Sequence, residues 1–91
     1  DISGAMDLVL ELAERRHPPQ VRRLAFEVIS SERDGLVERI RPLLVPDEPQ
    51  LADLLWALHY SFGGDLRPSE ARLFAELRKS PNRMLAAWAH R

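Results

Sequence analysis

Apolar residues recur along the chain with the 3.6-residue period of half-buried helices, and prolines and glycines cut that pattern into short segments. Asp7 to Arg16 places Leu8 and Leu12 on one line, with Val9 and Ala13 beside it. Asp7 suits the helix cap, and Glu11 with Arg15 forms an i,i+4 pair in the favourable order. His17-Pro18-Pro19 breaks this helix, and Pro19 opens the next, which runs to about Ser31. Its stripe is Val21, Leu24, Ala25 and Val28, widened by Phe26 and Ile29. Leu36 to Val45 has helical composition but carries Pro42, which either kinks the helix or ends it at Arg41. Pro46-Asp47-Glu48-Pro49 is a loop.

The strongest pattern follows, from Gln50 to Phe62. Leu51, Leu54, Leu55, Leu58 and Phe62 share a narrow arc, with Ala52, Trp56 and His59 beside it, so this helix is expected to be central. Gly63-Gly64 stops it, Asp65 can cap its successor, and Pro68 is tolerated in the first turn. Leu73, Phe74 and Leu77 form an inner face, Ser80-Pro81-Asn82 breaks again, and Met84 to His90 carries Leu85 and Trp88. No segment alternates as a strand does. The expected fold is all-α, a compact bundle of about six short helices. Its expected core is Leu8, Leu12, Leu24, Val28, Leu36, Ile40, Leu51, Leu54, Leu55, Leu58, Phe62, Phe74, Leu77 and Leu85.

A second architecture competes. Pro19 precedes Phe26, Pro49 precedes Trp56 and Pro81 precedes Trp88, each by seven residues, and the units are spaced by 30 and 32 residues. Proline-opened helices with an aromatic two turns later are how helical-hairpin repeats are built. The segment from Pro19 to Leu44 resembles one HEAT-type unit, with PQVRRLAFEVIS and LVERIRPLL as its two helices.

Composition narrows the function. The chain has 91 residues, 45% apolar and 30% charged, which fits one folded domain. Residues 1–5 (DISGA) read as an expression-tag remnant before Met6, leaving 6–91 as a single helical domain. Twelve arginines against one lysine suggest a GC-rich, bacterial genome. No run is apolar enough to span a membrane, and no signal peptide is visible, so a cytoplasmic location is expected. The absence of cysteine rules out disulfides and thiol chemistry. His17, His59 and His90 have no ligand-spaced partners, and His59 reads as a hydrogen-bonded packing residue. No nucleophile elbow or phosphate-cradling glycine loop is present, and Asp47 with Glu48 reads as a solvated loop. No enzyme, metal or cofactor is expected.

The charges divide the chain. Thirteen basic and fourteen acidic residues give a net charge of -1. From Pro42 to Asp65 there are only acids: Asp47, Glu48, Asp53 and Asp65. From Leu66 onward Arg67, Arg72, Arg78, Lys79, Arg83 and Arg91 outnumber Glu70 and Glu76. An acidic middle and a basic end can stack copies head to tail. Those residues, without Glu70, Glu76 and Arg91 but with the aromatic anchors Trp56 and Trp88, are the candidate interface. The alternative is nucleic acid, with Arg15, Arg16, Arg22 and Arg23 as phosphate contacts around the first interhelix turn.

LADLLWAL at 51–58, the glycine pair at 63 and 64, ARLFAEL at 71–77 and Leu85 near the end come in the order found in caspase-recruitment domains. The chain thereby resembles the death-fold interaction modules, which include bacterial effector-associated domains. The resemblance implies a six-helix bundle and a non-catalytic protein–protein role, as an adaptor or recruitment module in bacterial signalling or defence, to which the division of charge adds homotypic self-association through the acidic and basic faces. A small nucleic-acid-binding or transcription-regulatory domain is the alternative.

Overall fold

Six helices account for the regular structure of the computed structural model, which describes residues 2–90: α1 (Ile2–Leu12), α2 (Pro19–Ser30), α3 (Leu36–Ile40), α4 (Leu51–Ala57), α5 (Pro68–Leu77) and α6 (Arg83–Ala89). No strand occurs among the described residues. Asp1, in the expected tag remnant, and Arg91, in the basic end, lie outside them.

Local chemistry sets the boundaries. Pro18 adopts an extended conformation and Pro19 occupies the first turn of α2. Gly35 opens α3 at φ 75°, a left-handed conformation that a side chain would strain. Pro42 ends α3 rather than kinking it, since helical residues stop at Ile40. Asn82 caps α6 by accepting a hydrogen bond from the Leu85 N–H at 3.1 Å. Two expected caps move. Asp7 sits inside α1, which begins at Ile2, and α5 starts after Arg67, whose N–H donates to Glu70 Oε1 at 2.9 Å, so Asp65 is not its cap.

The helices stack in tiers. α1 packs on α2; α2 passes contact to α3 and α4; α3 reaches α5, α4 reaches α6, and α5 and α6 close on each other. The hub is therefore α2, not the leucine-rich α4. The body measures 32 × 26 × 17 Å with a radius of gyration of 12.7 Å, as expected for a single compact bundle of this length. Phe26, Ile29, Leu36, Ile40, Leu58 and Leu85 are fully buried at its centre. Phe62, Phe74 and Trp88 meet edge to face, with centroids 5.0 to 6.1 Å apart, and join α5 and α6 to the turn after α4. That turn replaces the last turns expected of α4.

Ten of the fourteen expected core residues are buried and Leu12 is half-buried, but Leu8, Leu24 and Val28 are 58%, 61% and 47% exposed. For Leu24 and Val28 the reason is the rotation of α2. Its inward face is Arg22, Ala25, Phe26 and Ile29, one position on from the stripe of Val21, Leu24, Ala25 and Val28. An arginine holds a core position there, so apolarity alone points to the wrong face. The proline-to-aromatic spacing also fails to give equivalent environments: Phe26 is buried, Trp56 is 74% exposed and Trp88 is half-buried.

Candidate interaction surfaces

Two carboxylates expected on the surface or left unassigned turn out to be buried and bound by arginine. Glu48 is 6% exposed and takes both terminal nitrogens of Arg22, at 2.6 and 2.9 Å. Arg22 is itself 2% exposed; its Nε donates to the Ala13 carbonyl at 2.9 Å, and its guanidinium lies 5.2 Å from the Phe26 ring centroid. Burial pushes the Glu48 carboxyl up, but hydrogen bonds from Arg22 and the Gln50 N–H, with the charges of Arg22 and Arg15, outweigh it and hold it below the ordinary range. A planar fork meeting a planar carboxylate, with the remaining donors satisfied, is the geometry in which a buried pair is tolerated. It ties the end of α1, α2 and the loop before α4 together. Beside it Arg15 pairs with Asp47 at 3.0 Å, holding that carboxyl below its usual range.

The second clasp is Glu70, 1% exposed, which receives Arg33 Nε and Nη2 at 2.9 and 2.6 Å. The same guanidinium donates to the carbonyls of Gly63 and Asp65. Arg33 thereby fixes the glycine turn against α5, and its hydrogen bonds hold the Glu70 carboxyl low against the opposing effect of burial.

These pairings redistribute the expected charges. Glu48 has no carboxylate to offer a partner, and Asp47 is committed to Arg15. Asp53 accepts from Gln50, and Arg67 pairs with Asp34 at 2.7 Å. Two of the four acids of that segment, Asp47 and Glu48, are therefore neutralised by arginines from the first third of the chain. Among the proposed phosphate contacts Arg22 is buried, Arg15 is paired, and Arg16 pairs with Glu11 at 2.7 Å. Only Arg23 is left exposed without a described carboxylate within 4 Å, because the turn folds its arginines onto acids. The basic end behaves differently. Arg72, Arg78, Lys79 and Arg83 are exposed, and no described carboxylate lies within 4 Å of them; Arg78 Nε donates to the Ala89 carbonyl. Asp65 is exposed as well, while Glu76 is bound by Arg41.

Apolar surface stays open on the α1–α2 pair and on α4. Val9, Leu12, Val21, Leu24, Ala25 and Val28 line a groove of about 200 Å³ between α1 and α2. Leu8 stands one turn from Leu12 on the same helix. On α4 and the turn after it, Trp56 stacks on His59 at 5.8 Å and His59 meets Tyr60 edge-on at 4.5 Å, with Trp56 74% and Tyr60 88% exposed. His59 thus belongs to an exposed aromatic ledge, not to the packed interior. Trp88 is held by Phe62 and Phe74 and contributes to the fold. The α1–α2 groove had a signal in the sequence: α2 carries apolar residues over more than half its circumference, and a helix flanked by neighbours on one side covers only part of that.

No group of three or more histidines, aspartates or glutamates converges on a common point among the described residues, and none of the described helices is long and apolar enough to cross a membrane. Comparison with family models, with curated proteins and with solved structures finds no match for the chain.

Proposed function

We propose that this domain is a non-catalytic protein–protein interaction module of the adaptor or recruitment type, acting in the bacterial cytoplasm in signalling or defence. The observation that carries this reading is the apolar face of α1 and α2, where Leu24 and Val28 stand exposed along one groove and Leu8 stands exposed one turn from the groove residue Leu12. Small soluble domains rarely leave such a face open, and contiguous apolar surface is where partners dock. The death-fold resemblance of residues 51–58, 63–64 and 71–77 adds the role, recruitment through a helical bundle. The nucleic-acid reading loses its support, since three of its four arginines are committed to carboxylates.

A photoreactive residue at position 24 tests this in the source cell. It should yield a discrete protein adduct that disappears when Leu8→Ser and Val28→Ser are added, while the same probe at position 38 on α3 yields none. Equal labelling at both positions, or no adduct at 24, would contradict the reading.

A further inference from the structure

Resting on the reading of α1–α2 as a contact face, the observations also identify what fills it. We infer that the groove receives the basic α5–α6 face of a second copy of this chain, joining copies head to tail.

Three observations converge. The first is placement: the groove is lined by α1 and α2, whereas the exposed cations belong to α5, α6 and the turn between them, so the two patches share no residue. A contact between two different patches leaves one of each free to repeat it. The second is charge. Asp7 on α1 and Glu27, one turn from Leu24 on α2, are exposed, with no described cation within 4 Å, against a single exposed cation on those helices without a described carboxylate in reach, Arg23. Glu11 adds a third acid to that side, partnered by Arg16. Across the molecule Arg72, Lys79 and Arg83 are exposed cations without a described carboxylate within 4 Å, and the acids near them are taken up: Glu70 by Arg33 and Glu76 by Arg41. The third is apolar complement. Met84, 51% exposed, projects from α6 beside Arg83, and an unbranched thioether adapts to a shallow groove of leucine and valine.

The test uses two variants of the whole chain. Leu24→Glu spoils the groove, and Arg72→Glu with Lys79→Glu and Arg83→Glu reverses the basic face. All four positions are exposed, so both proteins should fold, which circular dichroism checks; if one does not, Leu24→Ser or the three glutamines take its place. By sedimentation velocity the parent should form species larger than dimers at low salt. Each variant alone should be monomeric. Their equimolar mixture should give a dimer that grows no further, because only one intact groove and one intact basic face remain between them. Raising ionic strength from about 0.01 to 0.15 M, which shortens the screening length from roughly 30 to 8 Å, should weaken association about tenfold or more. A parent that is monomeric throughout, or a dimer insensitive to the charge reversal, overturns the head-to-tail contact. In either case a cross-linked protein other than this chain at position 24 leaves the interaction module itself standing.

Discussion

The two ends of the molecule handle charge in opposite ways. At the α1–α2 end Arg15, Arg16 and Arg22 are each bound to a carboxylate, and what stays open is apolar, with the acids Asp7 and Glu27 and one cation, Arg23, on the same helices. At the α5–α6 end the carboxylates Glu70 and Glu76 are bound, and four cations stay open. Each end also holds one buried carboxylate clasped by an arginine, yet the clasps differ in depth. The Arg22 side chain is 3% exposed, whereas that of Arg33 is 28% exposed. Surface charge is therefore decided by which ions find partners in the fold, and a sum along the sequence does not report it.

Breaking the deeper clasp should have the largest effect. Arg22→Ala leaves the Glu48 carboxylate buried without its partner, and such losses cost about 3–5 kcal/mol of the roughly 5–15 that a domain possesses. Urea unfolding should show this as a large fall in midpoint, and Arg22→Met with Glu48→Leu should recover most of it. Glu70→Gln should cost less, about 1.5–3 kcal/mol, because it removes charge-assisted hydrogen bonds while leaving Arg33 in partial contact with water. Equal losses at the two sites would contradict the difference in depth.

Acid should act on both clasps together. Asp47, Glu48 and Glu70 are held below their ordinary values, so their contribution is complete above that range and is lost as pH falls through it. Thermal melting should be nearly flat between about pH 7 and 5.5 and decline below about pH 4.3. A maximum of stability in acid would be incompatible with these pairings. The smallest effect belongs to the exposed leucines: Leu24→Ser should change unfolding free energy by no more than about 0.5 kcal/mol. A core-sized loss there would mean that α2 is turned differently.

Most of the architecture was legible from spacing alone. A proline or glycine lies in every connection between helices, although α4 ends at Ala57, ahead of the glycine pair, and the leucines of 51–58 were assigned to the interior correctly. The orientation of α2 was not legible, because Arg22 occupies a core position and its partner Glu48 lies 26 residues away in what reads as a solvated loop. Nor could the pattern give the reach of Arg15 to Asp47, or of Arg33 to Glu70. Such contacts depend on tertiary placement, which a local period does not encode. At the basic end Arg72, Arg78, Lys79 and Arg83 are exposed as the sequence reads, whereas Arg67 is taken by Asp34, another contact that a local period does not encode.

Amide spectra of ¹⁵N-labelled protein, recorded over a dilution series at low salt, probe the union of the two ends most directly. Shifts should appear together around Leu8, Leu24 and Val28 and around Arg72, Lys79 and Arg83, and leave Trp56 and Tyr60 still. Movement confined to a single face, or none on concentration, would contradict it.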